Sequence, residues 1–349
     1  MKLSKILCLG AVSLAAAFAP LRGAVAQEVL RFSNWLPPTH YIVQEMLIPW
    51  AADVEQATEG RVKVEFINAL GKPPAHLDLV RNGVADMGMS VHSYTANRFP
   101  LIEFAELPLT TEDGEVNSVA YWRTYDKFMK DAGEHRGVKL LGLWTSPATV
   151  IFTTKESLDG LDSLRGLKLR SPSPLFDTIG QKLNFVTVNA PASESYEMLS
   201  RGVIDGMYFQ YDQIENFKLD RLIRSALQAP GGFGKSSQYM FMNERKWNRL
   251  SEADRAAIEK LSGEHIARAF GGKWNESEQQ SIKRLAEAGL KTTKLEGAEL
   301  EALRGRLQSI EDDWIATADK KGVDGKAALQ YYREQIAELE KEKAEKSGS

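Results

Sequence analysis

The stretch GLKLRSPSP, Gly166 to Pro174, decides how the chain is read. From Gly166 to Arg170 leucines alternate with long basic residues, the period-two pattern of a half-buried strand. Pro172 and Pro174 cannot donate to a ladder, so the strand stops close to Arg170. A guanidinium therefore stands at the mouth of a strand, and the stretch contains no acidic residue to pair with it.

Outward from this strand the pattern repeats. LFDTIGQKL reads as a helix, FVTVNA as a strand, SESYEMLSRG as a helix stopped by Gly202, and VIDGMYF as a further strand. The N-terminal side has the same rhythm. VLRFSNW, RVKVEF, VADMGMS and VKLLGLW read as strands; between them lie helices ending at Gly60 and Gly83 and a longer one near Asn117 to Ala132. This alternation predicts an α/β fold with largely parallel sheets. LVRNGVADMG (Leu79 to Gly88) and LSRGVIDGMY (Leu199 to Tyr208) resemble each other: a helix end with Arg, a stopping Gly, a Val and an Asp. They predict similar units in two lobes. From Ser251 the chain turns helical, opening on Ser251 with Asp254 three residues on, a variant capping box. The stretch reads as helical almost throughout, with Gly271-Gly272 allowing a kink or break, and amphipathic helices are expected over Ala298 to Lys320 and Ala327 to Lys343.

The first 26 residues have two lysines, an apolar run and a close on Ala24-Val25-Ala26, the pattern of a secretory signal peptide cleaved before Gln27. The single cysteine, Cys8, lies inside it, so the mature chain is expected to have no disulfide and no Cys-bound metal. Cleavage removes Lys2, Lys5 and Arg22 and no acid, taking the formal charge from −3 to −6. No strongly basic block favours nucleic acid. No second apolar run reaches bilayer length, which predicts a soluble mature chain. About 320 mature residues exceed one comfortable core, so two domains are expected.

Motifs for catalysis are sparse. His40, His76, His92, His135 and His265 are scattered without metal-ligand spacing. No G-x-S-x-G elbow occurs, and PGGFGKS (Pro230 to Ser236) has the wrong spacing for a phosphate loop, so it reads as a flexible crossover. No cofactor or metal is expected. Open sheets bind ligands at the carboxyl ends of their strands, where Arg170 sits, and its fork can grip a carboxylate in bidentate fashion. The alternative is that Arg170 pairs with a surface acid.

Gly166–Arg170 together with SESYEMLSRGVIDGM resembles the extracytoplasmic solute receptors of tripartite ATP-independent periplasmic (TRAP) transporters. TEGRVKVEF, VRNGVADMGMS, ELPL and the helical C-terminal third fit the same resemblance, which spans nearly the whole mature chain. It implies a two-lobe periplasmic-binding-protein-like α/β fold with a ligand cleft between the lobes and long C-terminal helices. On that reading one lobe takes residues 27–149 and about 236–275. The other takes 150–235 and about 276–343, with 344–349 a frayed tail. The resemblance implies a periplasmic protein without enzymatic activity that delivers an organic acid to a membrane permease. It also implies that Arg170 forms the salt bridge to the ligand carboxylate.

The chain departs from the sialic-acid-type members of that family. Phe209 stands where they commonly have Asn, flanked by Tyr208 and Gln210, and TVIFTTK lacks their second arginine near Ile151. A hydroxylated sugar acid would leave polar groups poorly paired in such a pocket. A smaller or more apolar acid fits better, aromatic carboxylates included. Further wall candidates are Trp35, His92, Tyr94, Ser171 and Phe233. For each the competing reading is packing or capping: core for Trp35, loop cap for Tyr94, helix cap for Ser171, lobe packing for Phe233. Two other functions stay open, an exported enzyme acting in the same cleft and a sensory receptor.

Overall fold

The computed structural model describes residues 27–95 and 97–347; the expected signal peptide, residues 1–26, lies outside the described residues. Two mixed sheets form two lobes. The five-stranded sheet of the first lobe runs β2-β1-β3-β10-β4 and the six-stranded sheet of the second runs β11-β9-β5-β8-β6-β7. The first sheet contains β1 (Glu28–Asn34), β2 (Val62–Asn68), β3 (Met87–Val91), β4 (Val138–Thr145) and β10 (Ser237–Asn243). The second contains β5 (Val150–Thr153), β6 (Lys168–Ser171), β7 (Val186–Asn189), β8 (Gly206–Phe209), β9 (Ser225–Gln228) and β11 (Lys291–Lys294).

The expectation of largely parallel sheets needs one amendment. β1 pairs in parallel with β2 and β3, and β6 with β7 and β8. β10, however, runs antiparallel to β3 and β4, and β5 antiparallel to β8 and β9. These are the strands entered from the opposite lobe, and a chain crossing between two sheets arrives in the reverse direction.

The crossings lie side by side. Thr149 N–H donates to the Gly234 carbonyl at 2.8 Å and Phe233 N–H to the Thr149 carbonyl at 3.0 Å. The glycines of PGGFGKS are needed for this approach. A Cβ on Gly231 would lie 2.7 Å from the Leu109 carbonyl carbon, and one on Gly232 2.6 Å from Ala148 Cβ. The segment is thus a packed crossover, with Phe233 and Lys235 fully buried.

The helices that cover the sheets are α1 (Ile48–Ala57), α2 (His76–Arg81), α3 (Gly114–Phe128), α4 (Pro174–Lys182), α5 (Ser195–Ser200) and α6 (Tyr211–Asn216). After β10 come α7 (Glu244–Arg249), α8 (Glu252–Lys260), α9 (Glu264–Glu287), α10 (Gly297–Leu307), α11 (Ser309–Lys320) and α12 (Gly325–Ser347). Ser251 caps α8: its Oγ accepts from Asp254 N–H at 3.1 Å and donates to the Asp254 carboxylate at 2.6 Å. β10 shows what burial on both faces of a sheet demands. Met240 and Met242 join the cluster with Trp144 and Leu30; Tyr239 and Phe241 join the one with Tyr121 and Phe104.

The C-terminal third settles what the sequence left open at Gly271-Gly272 and differs from the expected lobe assignment. α9 is unbroken through Gly271-Gly272, because Gly271 serves packing: a Cβ there would meet the Gly114 carbonyl oxygen at 2.6 Å, where α9 crosses α3. Beyond Ser309, whose Oγ accepts from Lys182 of α4 at 2.6 Å, the chain packs on the first lobe. α12 lies along α3 and α11 against the helical turn Pro100–Glu106, where Trp314 Nε1 donates to the Leu101 carbonyl at 3.2 Å. β11 and α10 stay with the second lobe, β11 in its sheet and α10 against α4. The last helix also runs past Lys343 to Ser347, anchored by Lys343 Nζ at 2.7 Å from Asp113 and 2.9 Å from Glu115. Residues 348–349 of the expected tail lie outside the described residues.

Candidate functional site

β6 ends at Ser171, and its neighbours β7 and β8 run parallel to it, so three carboxyl ends meet around Arg170. Arg170 is 2% exposed. Its Nε donates to the Ala190 carbonyl at 2.8 Å and Nη1 to the Tyr208 carbonyl at 3.5 Å. Its guanidinium carbon lies 5.2 Å from the Phe209 ring centroid. No Asp or Glu among the described residues forms an ion pair with it. Burial pulls the guanidinium down from its ordinary value, opposed only by Tyr94. An arginine still carries its charge there. A buried cation without an anion costs several kcal/mol, so this one has a partner to gain.

Arg170 lines a small cavity of about 40 Å³ between the lobes, together with Trp35, Tyr94, Phe209, Gln210 and Gln213. The walls are aromatic. Phe209 and Phe217 stack at 5.6 Å and 16°, His40 meets Phe217 edge-on at 5.3 Å, and Trp35 meets Tyr94 edge-on at 5.6 Å. α6 carries Gln213 and leads into Phe217. Its first two N–H groups, on Tyr211 and Asp212, donate to the Glu278 carboxylate of α9 at 3.0 and 2.9 Å. Burial raises the pKa of Glu278 and of Asp212 beside it.

The lobes are bonded across the cavity. Ala192 N–H of the second lobe donates to the Tyr94 hydroxyl at 2.9 Å, and His40 Nε2 lies 3.1 Å from Gln213 Oε1. Tyr41 N–H donates to Asn216 at 3.2 Å. Burial pushes the Tyr94 hydroxyl up, with Arg170 pulling it back. Burial also takes His40 down to about 4. His40 Nδ1 accepts from Ile42 N–H at 3.2 Å, so the neutral ring carries its proton on Nε2 and donates to Gln213.

Four of the residues proposed for the wall lie elsewhere. Tyr208 and Phe209 are neighbours in one strand, so their side chains take opposite faces. Phe209 faces the cavity, and Tyr208 packs in the second-lobe core against Phe176 at 4.7 Å. Tyr208 offers the site only its carbonyl. Phe233 packs 6.4 Å from the Tyr208 ring in that core. Ser171 turns inward, donating to the Ser173 carbonyl at 2.9 Å and accepting from Ser173 N–H at 3.3 Å. His92 points into the first lobe, with Nδ1 3.0 Å from Ser237 Oγ and Nε2 3.0 Å from His135 Nε2. Burial depresses both histidines, His135 to about 3.

Sequence reasoning missed Met89, Ala192, Gln213, Phe217, Gln238 and Trp274, all of which border the cavity. Gln238 had a signal: it is a polar residue on the same strand face as Met240 and Met242. A larger cavity, about 800 Å³, lies elsewhere, between the loop Leu107–Thr110 and the C-terminal helices, and Arg170 does not line it. Its arginines are already paired, Arg333 with Glu311 and Arg304 with Glu301. No group of three or more potential metal ligands clusters among the described residues, and none of their helices is long and apolar enough to cross a membrane.

Two α/β lobes bonded over a cavity that holds a buried, unpaired arginine define a cleft-type solute-binding protein. The chain belongs to the bacterial extracellular solute-binding protein family 7 (DctP), whose pattern matches residues 32–317. It is similar to a TRAP periplasmic solute-binding protein from Bordetella bronchiseptica with (R)- and (S)-mandelate bound. That likeness has 36% identity and a TM-score of 0.87 and covers 89% of this chain and 99% of the other. A marine-metagenome TRAP solute-binding protein specific for aromatic acids, in complex with 3-hydroxybenzoate, is 28% identical with a TM-score of 0.84, covering 90% and 99%. The outer membrane transporter protein TsaT of Comamonas testosteroni is 31% identical over 324 residues, 91% of this chain and 94% of its own length.

Proposed function

We propose that this protein is a periplasmic receptor that closes on an aromatic carboxylate and passes it, unchanged, to a TRAP-type membrane permease. The observation that carries this reading is Arg170, buried in an aromatic-walled cleft with no acid beside it. A ligand carboxylate supplies the missing anion through the bidentate fork. Trp35, Phe209 and Phe217 supply faces and edges for a ring. The mandelate and hydroxybenzoate held by the two similar structures support the same ligand class.

A cavity of about 40 Å³ is too small for a benzene ring, which occupies an engineered cavity of about 150 Å³. Entry therefore requires the lobes to part at the paired crossings, breaking the Tyr94–Ala192 and His40–Gln213 bonds. The test is a thermal-shift screen of the mature chain with benzoate, mandelate, 3-hydroxybenzoate and, as controls, citrate and sialic acid. Stabilisation by the aromatic acids, with the acid recovered intact after incubation, is expected. Stabilisation by citrate or sialic acid alone overturns the ligand class, and conversion of the acid to product overturns the receptor. Export is tested separately: intact mass should place the N-terminus at Gln27, and an intact Met1 on periplasmic protein would refute cleavage.

A further inference from the structure

Three glutamines border the cavity, and they are not in the same condition. Gln210 donates to Ser146 Oγ at 2.9 Å. Gln213 is committed at both ends, donating to Asp212 at 2.7 Å and meeting His40 at 3.1 Å. Gln238 is only 3% exposed, yet its Oε1 is buried with no hydrogen-bond partner and its side-chain amide makes no hydrogen bond among the described residues. It borders the same cavity as Arg170. A second polar atom there is also unsatisfied, the Trp35 indole N–H, a donor only.

The position is built rather than incidental. Gln238 lies in register between Val91 of β3 and Trp144 of β4, fixed by ladders on both sides. It shares its strand face with Met240 and Met242, which pack in the core. A buried amide without a partner is costly unless something that binds there satisfies it. The ligand carboxylate is already assigned to Arg170, a cation, and a carboxylate cannot satisfy an amide oxygen because it has no proton to give. A hydroxyl can. It donates to Oε1 or, with the amide turned over, accepts from Nε2, and it can accept from the Trp35 N–H.

We infer that Gln238 reads a hydroxyl group on the bound aromatic acid, so that this receptor selects hydroxylated aromatic acids over their unsubstituted or methylated counterparts. The inference rests on the aromatic-carboxylate reading above and sharpens it. A site built to hydrogen-bond a hydroxyl rejects the analogue lacking it, because its own buried polar groups then stay unpaired.

The experiment is calorimetry on the full mature chain with matched pairs. Each hydroxybenzoate is compared with the methylbenzoate of the same substitution, and 2-hydroxy-2-phenylacetate with phenylacetate. For at least one pair the hydroxylated member should bind about tenfold more tightly, since leaving a buried polar group unpaired costs on the order of tenfold. In Gln238→Met, which keeps the length and loses the amide, that preference should collapse to about twofold or less as the methylated member gains affinity. Wild-type protein that binds both members of every pair equally overturns the inference and leaves the aromatic-carboxylate reading standing. So does a preference that persists in Gln238→Met. Failure of every acid to bind wild-type protein overturns both readings.

Discussion

The two lobes contain the same unit with different endings. In the first, α2 stops at Gly83 (φ +78°) and the chain enters β3; in the second, α5 stops at Gly202 (φ +67°) and enters β8. Asp86 N–H donates to the Arg31 carbonyl at 2.9 Å, and Asp205 N–H to the Lys168 carbonyl at 2.7 Å. Each Asp carboxylate accepts the N–H of the same neighbouring residue in return, from Arg31 at 2.9 Å and from Lys168 at 2.8 Å. Phe32 then pairs with Met87 and Leu169 with Gly206. Two residues beyond Arg31 stands Ser33; two beyond Lys168 stands Arg170. Ser33 is satisfied inside its own lobe, with Oγ 2.8 Å from His76 Nδ1. Arg170 has carbonyl acceptors but no anion. The same scaffold position is satisfied by its own lobe in one case and left without an anion in the other, and the difference lies in whether the fold itself supplies the partner.

The largest effect expected from this comparison is on binding. Arg170→Ala should weaken binding of an aromatic acid by about 2–5 kcal/mol, since it leaves a buried carboxylate unpaired, and calorimetry measures it. Arg170→Lys should lose part of the same amount, because a point charge cannot reproduce the fork. Ser33→Ala should leave affinity unchanged. Ligand-free Arg170→Ala should keep its stability within about 1 kcal/mol, because the loss of two hydrogen bonds is offset by removal of an uncompensated buried charge. Near-normal affinity in folded Arg170→Ala, or equal losses in the two variants, would break the asymmetry.

The next effect is steric and concerns the partners one strand over. Met87 has room for its side chain, whereas a Cβ on Gly206 would lie 2.1 Å from the Phe152 carbonyl oxygen. Gly206→Ala must push backbone rather than a flexible side-chain end, so it should cost about 1–3 kcal/mol of unfolding free energy, read from denaturant titration. A neutral Gly206→Ala would mean that β5 and β8 are less tightly paired than drawn.

A smaller effect separates the two aspartates. Asp86 also binds the Arg31 guanidinium, with Nε at 3.0 Å, whereas Asp205 accepts only backbone N–H. Both Asp→Ala changes should destabilise by about 1 kcal/mol each, with Asp86→Ala the larger. Equal values would show that the surface ion pair contributes nothing.

The smallest is a change of slope with pH. Burial takes His40, in the first lobe, down from its ordinary value of 6.5 to about 4. Above pH 6.5 both states are neutral there and the stability is fully present. As pH falls from 6.5 towards 4 the unfolded chain takes up a proton that the folded chain refuses, so stability is lost. Glu106, raised to about 7 by burial, works in the opposite sense: its contribution is present at low pH and lost as pH rises from 4.5 to 7. His40→Gln should therefore lose less stability than wild type between pH 7 and pH 4.5, measured by thermal melts at each pH. Parallel curves would remove His40 from the account.

Much of this protein was legible in its residues. The period-two pattern at Gly166–Arg170, the stopping glycines Gly83 and Gly202, the Ser251–Asp254 cap and the repeated helix–Gly–Asp unit are local signals. Each follows from backbone sterics or from hydrogen bonds between near neighbours, which sequence spacing sets directly. The placement of a guanidinium at a strand mouth was legible for the same reason. Which way a side chain faces was not. Alternation required that Tyr208 and Phe209 part company, but only the pairing of β8 between β5 and β6 decided that Phe209 met the cavity. His92 turned inward because Ser237 and His135, far along the chain, offered it partners. Gln238 came to border the cavity only when β10 crossed back between β3 and β4, and α12 joined the first lobe because α3 presented it a surface. The sequence by itself determined the elements and the charge at the mouth of β6. Tertiary structure alone decided which polar groups found partners within the chain and which did not, because that depends on contacts between residues whose separation in sequence carries no trace of their meeting.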